Sequence, residues 1–242
     1  SGLILLIRYR DELQKVKLAE EKRLNQRMTQ LELSAFRAQM NPHFVFNALG
    51  SIQYFIQNKD LELADDYLAK FAKLMRMYLD SSKEKMIPLQ RELNLLGIYT
   101  DLEKMRFEDN FSVNIVKDPD LDENDYYLPS MIIQPLIENA INHGLENRRD
   151  GKGRLEVIFQ TEQEHLVCYI NDNGIGRANA VKYRNKGHQP RGLELIKEKI
   201  QTLQNSGIAK IDMQISDLNP NHPVFPGTQV KLVIENDEEN ED

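Results

Sequence analysis

Three short stretches of this chain place polar, potentially reactive side chains at spacings that could do chemistry. The first is Gln39-Met40-Asn41-Pro42-His43-Phe44-Val45-Phe46-Asn47. A neutral imidazole carries a lone pair that can attack a phosphorus centre and form a high-energy N–P bond. Asn47 lies four residues beyond His43, one helical turn along the same face, where its amide could orient the phosphoryl group or a water. The same residues also suit a buried histidine hydrogen-bonded to backbone, and chemistry alone does not choose between the two. The second stretch is Gln134-Pro135-Leu136-Ile137-Glu138-Asn139-Ala140-Ile141-Asn142-His143-Gly144. Leu136, Ile137, Ala140 and Ile141 form an apolar helix face, and Glu138, Asn139, Asn142 and His143 fall mostly on the other side. The Asn139 carbonyl oxygen is a suitable hard ligand for a phosphate-bound Mg2+, His143 could donate to phosphate, and a plain solvated helix face is the alternative. The third is Asp172-Asn173-Gly174-Ile175-Gly176, directly after a strand pattern. Its glycines permit a tight turn and close approach of a ligand ring, and Asp172 could accept from an exocyclic amine. Gly192-Leu193 at a helix start suits phosphate, and Gly227-Thr228 opens a final strand; each is weak by itself.

The elements that must position these residues follow from composition and periodicity. Hydrophobic residues make up 40% and charged residues 29% of 242 residues, ordinary for a globular protein. The formal net charge of -7 sets a nucleic-acid partner aside. A single cysteine, Cys168, excludes an intrachain disulfide and any cysteine-rich metal site. The apolar run Leu3–Ile7, followed by Arg8 and Arg10, reads as the stump of a membrane-spanning helix with its basic flank on the cytoplasmic side, the alternative being a helix start that packs on a partner.

Residues 8–40 lack Pro and Gly and read as a long helix. Leu24, Met28, Leu31, Ala35 and Ala38 form a coiled-coil or bundle seam. Pro42 should kink this helix, which resumes through Phe55. Asn58-Lys59-Asp60 is a turn, and a second helix spans 61–81. Such a helical hairpin covers its apolar faces by pairing with a second copy as a four-helix bundle, so a homodimer is expected. Pro88 opens a third helix to Arg106. A strand follows at 111–116, an apolar helix from 130 to 144, strands at 154–162 and 165–171, a polar, basic loop at 177–191, a helix at 192–204, and strands at 209–216 and 227–235. An acidic tail occupies 236–242. The second half thus reads as an α+β layer, helices on one face of a mixed sheet.

The order of these motifs is similar to that of sensor histidine kinases of the LytS type. The segment LSAFRAQMNPHFVFNALGSIQ resembles that family's phosphoacceptor box, LPSMIIQPLIENAINHG its asparagine box, NDNGIG its first glycine box and RGLELIKEKI its second, over residues 30–235. The resemblance implies four segments: a membrane-proximal signalling helix (1–40), a dimerising phosphotransfer hairpin (30–85), a GHKL-type α/β sandwich that binds ATP (86–235) and the tail. It implies that Mg-ATP phosphorylates His43, that the phosphoryl group passes to an aspartate on a response regulator receiver domain, and that Asn47 assists its removal. It gives Asn139 the Mg2+, Asn142 and His143 the phosphates, Asp172 the adenine, and Gly174 and Gly176 the pocket floor. Arg191, Gly192 and Leu193 join the phosphate site, with Arg177, Lys182, Arg184 and Lys186 in a lid, and Thr228 sits on the last strand. A homodimer at the cytoplasmic side of the bacterial inner membrane is implied, with a hinge near 82–90.

Three departures qualify this. Phe44 stands where many kinases of other subfamilies place an acid that orients the imidazole. Pro135 stands where ATP-hydrolysing GHKL proteins carry a water-activating glutamate. Pro190 precedes Arg191-Gly192-Leu193 where a glycine is usual, fixing φ and removing an N–H. The competing readings are a catalytically silent nucleotide-binding scaffold, favoured by the Pro190 departure, and a GHKL ATPase, disfavoured by Pro135.

Overall fold

A computed structural model of the chain describes residues 42–107, 110–146, 148, 150, 152–177, 179, 191–222 and 224–235. The expected helix over 8–40, the membrane stump, most of the loop at 177–191 and the acidic tail lie outside them. The chain divides into two compact units, 1–47 and 48–242.

The junction where a kink is expected lies at the edge of the described residues, and helix α1 spans Pro42–Gln57. It ends in a turn where Lys59 adopts φ 62° and the Asp60 carboxylate accepts from the Leu63 N–H at 3.3 Å, capping α2 (Leu61–Ser81). Helix α2 buries Ala64, Tyr67, Leu74 and Tyr78. Within the second unit, Leu49, Tyr54, Ile56, Leu61, Leu63 and Leu68 stay exposed in the single chain.

After α2 comes strand β1 (Met86–Pro88) and then α3 (Leu89–Arg106). The segment read as a hinge is therefore not a free linker. Strand β1 pairs antiparallel with β3 (Tyr127–Pro129), Ile87 is fully buried, and the Ser130 hydroxyl donates to the Ser81 carbonyl at 2.8 Å. Both strands are three residues long, too short for alternation to reveal them. Helix α3 buries Leu89, Glu92, Leu95, Leu96, Tyr99, Leu102 and Glu103 along one stripe. Two acids therefore enter the core.

The main sheet has the order β2-β4-β5-β7-β6, formed by β2 (Phe111–Lys117), β4 (Gly153–Glu162), β5 (His165–Asp172), β6 (Lys210–Ser216) and β7 (Thr228–Glu235). Only β2 and β4 run parallel; the other neighbours are antiparallel. Leu155, Val157 and Phe159 on β4 and Val230, Leu232 and Ile234 on β7 alternate inward. They form the core beneath α3, α4 (Gln134–Asn139) and α5 (Arg191–Asn205). This is the α+β sandwich expected from the sequence.

The apolar helix anticipated over 130–144 begins four residues later. Residues 130–133 are irregular, Met131 holds a left-handed backbone at φ 56°, and the Ser130 N–H donates to the Lys85 carbonyl at 3.1 Å. Among the described residues no helix is long and apolar enough to cross a membrane.

Candidate functional site

Helix α4 does not end where its α-helical bonds end. Residues Ala140–Leu145 continue it as a π-helical turn, with the Glu146 N–H reaching back five residues to the Ile141 carbonyl at 2.8 Å. Such wide turns accommodate one extra residue and cluster at functional sites. Here Gly144 comes to face Asp172, while His143 points to solvent.

Gly144, Gly174 and Gly227 then meet around one carboxylate. A Cβ on Gly144 would lie 2.7 Å from Asp172 Oδ1, one on Gly174 2.3 Å from the Gly144 carbonyl, and one on Gly227 2.3 Å from the Asp172 carbonyl oxygen. Hydrogen bonds close the cluster: Ile175 N–H to Gly144 O at 3.2 Å and Gly227 N–H to Gly174 O at 3.1 Å. Gly176 (φ 71°) and Gly227 (φ 66°) also need backbone conformations that favour glycine. Three distant segments therefore become one floor. Gly144 and Gly227 were not singled out as site residues, although each ends or opens a motif that was.

Asp172 ends β5 opposite Thr228 on β7. It is 4% exposed, and its Oδ1 accepts from the Gly174 N–H at 2.9 Å. Burial pushes its carboxyl up to about 6, while that N–H and then the Thr228 hydroxyl pull the other way. Next to it, Asn173 locks the turn. Its Oδ1 accepts from the Arg154 N–H at 2.7 Å, its Nδ2 donates to the Lys152 carbonyl at 3.0 Å, and its own carbonyl accepts from Arg148 Nη1 at 2.6 Å.

On α4 and the wide turn, the expected polar face is only partly realised. Glu138 turns inward and accepts from Gln134 Nε2 at 2.7 Å, both side chains being buried. Asn142 Oδ1 accepts from Arg106 Nη2 at 3.4 Å, and that guanidinium pairs with the buried Glu103 at 2.5 Å. Asn139 Nδ2 is buried without a hydrogen-bond partner. An unpaired buried N–H donor there suits an acceptor such as a phosphate oxygen. Among the described residues no three His, Cys, Asp or Glu gather as a metal site. Gly192 lies in the first turn of α5 and Leu193 follows it. Arg177, expected in the lid, pairs with Asp217 at 3.1 Å, and Lys182, Arg184 and Lys186 lie outside the described residues, as does the Arg191 side chain.

In the first unit, His43 is exposed and Asn47 Nδ2 approaches His43 Nδ1 at 3.3 Å, as the four-residue spacing requires.

A histidine on a helical hairpin, followed by an α+β sandwich with a glycine-walled carboxylate, defines the class of architecture. Residues 31–111 match the family model for histidine kinase. The sensor histidine kinase BtsS of Escherichia coli K12 is 35% identical over 146 residues, which is 60% of this chain and 25% of that protein. The sensor protein LytS of Staphylococcus epidermidis is 30% identical over 161 residues, 66% of this chain and 27% of that protein. The chain thus spans about a quarter of the length of the curated relatives it matches. The family model and the curated relatives thus agree: residues 31–111 match the histidine kinase model, and the similar proteins are BtsS and LytS sensor kinases. Among solved structures, a mycobacterial sensor histidine kinase, MprB, superposes over 62% of this chain and 95% of its own with TM-score 0.42 and 16% identity. The catalytic domain of histidine kinase ThkA does so over 62% and 94% with TM-score 0.39 and 14% identity.

Proposed function

We propose that this chain is the kinase portion of a two-component sensor that binds Mg-ATP at Asp172 and transfers its γ-phosphoryl group to His43. The observation that carries the reading is the convergence of Gly144, Gly174 and Gly227 on the buried Asp172. The three glycines let their segments close tightly around Asp172, and its carboxylate is the acceptor an exocyclic amine needs. Asn139 would hold Mg2+ through its carboxamide oxygen, the phosphates supplying further ligands. When bound, that cation would neutralise charge on the phosphates. Asn142, His143, Arg191, Gly192 and Leu193 would line the phosphate end. Pro135 offers no base to activate water, which supports transfer to histidine over hydrolysis.

Asn47 offers the orienting group that Phe44 cannot. With its carboxamide turned so that Oδ1 accepts from Nδ1–H, the tautomer is fixed with the lone pair on Nε2, the atom that attacks. The N–P bond forms as the bond from phosphorus to the β,γ-bridging oxygen breaks, and ADP leaves. The phosphoryl group then passes to an aspartate of a response regulator receiver domain. The exposed leucines of α1 and α2 support pairing of two copies as a four-helix bundle. The division into a hairpin (30–85), an ATP-binding sandwich (86–235) and a signalling helix before them belongs to the same proposal, as does a position at the cytoplasmic face of a bacterial inner membrane.

The test is incubation with γ-labelled ATP and Mg2+ beside a His43→Gln variant. The wild type should acquire acid-labile, base-stable label and the variant none. Label retained by the variant, or steady phosphate release with no phosphoprotein, would overturn the reading.

Asp172→Asn separates binding from folding. Its folded carboxyl sits about 2 units above the usual 3.8, so the wild type loses stability as pH rises through about 6, by roughly 3 kcal/mol. The amide removes that penalty and the charge-assisted acceptor together. Melting at pH 8 should rise while ATP affinity in calorimetry falls at least about ten-fold. Unchanged affinity would remove Asp172 from the site.

A further inference from the structure

Apart from the nucleotide site proposed at Asp172, the described residues form a cleft of about 720 Å3 at the start of β2 and β4. Its cationic side chains come from three separate places: Lys104 near the end of α3, Arg148 after the wide turn, and Lys152 and Arg154 at the entry to β4. Phe111 supplies an apolar wall and Asn173 one edge. Among the described residues no carboxylate lines it. Asp150 is held by Arg148 through Nε at 2.8 Å and Nη2 at 3.1 Å. Lys104, Lys152 and Arg154 have no ion pair among the described residues. On a chain of net charge -7, three unpaired cations gathered in one concavity are out of character.

Arg148 makes the cleft a built feature and not a chance meeting of surface lysines. Its side chain is 11% exposed. The guanidinium lies over the Phe225 ring at 4.3 Å and donates to the Asn173 carbonyl. Arg154 presents a free guanidinium fork on a backbone that Asn173 fixes, the arrangement suited to phosphate oxygens.

We propose that this cleft binds a small, multiply charged, phosphate-bearing anion at a site separate from the nucleotide pocket. The cations ring a concavity with an apolar wall, which suits a compact soluble anion and not a flat membrane sheet. One lining residue, Asn173, is the chain neighbour of Asp172, so the cleft adjoins the proposed nucleotide site. The inference rests on the proposed function only in taking Asp172 as the separate nucleotide site.

The test is calorimetric titration of the whole chain with inorganic tripolyphosphate in the absence of Mg2+. It would be run on the wild type, a Lys104→Glu/Arg154→Glu variant, a Lys152→Glu variant and Asp172→Asn. Wild type and Asp172→Asn should bind alike, with affinity that weakens as salt is added. The double variant should lose roughly ten-fold or more, and the single variant less. The far-ultraviolet circular dichroism of the charge-reversed variants, whose substituted side chains are exposed or half-buried, should match the wild type. Loss of binding in Asp172→Asn with retention in the charge-reversed variants would overturn the proposal, as would equal binding by all four proteins or none. ATP binding measured on the same samples keeps the two readings apart: its failure in the wild type sinks the nucleotide pocket and leaves the cleft standing.

Discussion

Gly174→Ala should abolish ATP binding and destabilise the sandwich by about 3 kcal/mol or more, the upper part of the range for forced overpacking. The added methyl would sit 2.3 Å from both the carbonyl carbon and oxygen of Gly144 and 2.5 Å from its α-carbon. These are backbone atoms, so no side chain can swing aside to admit it. Relief requires the turn after β5 and the turn after α4 to part. That breaks the Ile175 N–H bond to Gly144 and pulls on the Gly227 N–H bond to Gly174. The floor of the pocket is those same atoms, so affinity and stability fall together. Gly97→Ala is the control. A Cβ there meets nothing within 4 Å, and within helix α3 alanine is favoured over glycine by up to about 1 kcal/mol. Urea unfolding and ATP titration on the three proteins check this. A Gly174→Ala protein as stable as the wild type, with ATP binding intact, would mean that the three-glycine contact is not a structural requirement.

Glu92→Gln should flatten the dependence of stability on pH. Glu92 is 1% exposed in the stripe of α3. Burial pushes its carboxyl up to about 7, against the pull of the Lys199 ammonium on α5 and, after it, the N–H groups of Ile133 and Met131. Neither N–H closes a full hydrogen bond, and both carboxylate oxygens stay unsatisfied. Burial also lowers Lys199, whose ammonium donates to the Ser130 carbonyl. The folded value lies above the unfolded one of 4.5. Below about pH 4.5 both states hold the proton and nothing is lost. As pH rises through about 7 the unfolded chain has released its proton while the folded chain must bury a charge, and roughly 3 kcal/mol of stability goes. Glutamine keeps the shape without titrating. It leaves Lys199 without its carboxylate, which offsets part of the gain. The fall in stability from pH 5 to pH 8 should therefore shrink by about 2 kcal/mol, with Asp172 responsible for the slope that remains. Parallel pH profiles for the two proteins would show that Glu92 does not titrate in this range.

What could be read from residues alone was whatever is local. The turn 58–60 and helix 61–81 are dictated by a capping aspartate and one apolar stripe, and both stand as expected. The glycine turn after β5 is legible because the fold needs those glycines within five residues of one another. The convergence on Gly144 is not, because it depends on a helix that widens by one residue, which periodicity cannot register. The late start of α4 follows from the left-handed Met131 and the ties of Ser130 to Ser81 and Lys85, contacts made far along the chain. Glu92 reads as a surface acid between Leu89 and Leu95 until α5 arrives to cover it. The cationic cleft is assembled from positions 104, 148, 152 and 154, which no short pattern joins.

The wide turn at Ala140–Leu145 has one more implication. In a helix each residue advances the side-chain direction by about 100°. The extra residue held in that turn is therefore a phase shift, and everything after it is rotated relative to a regular helix grown from Gln134. A chain lacking one residue there would close an ordinary helix with stronger backbone bonds, yet it would carry a different side chain toward Asp172 and send Gly144 elsewhere. The irregularity works as a timing mark between two parts of the sequence that fold apart: a defect in the helix keeps the glycine in step with the strand.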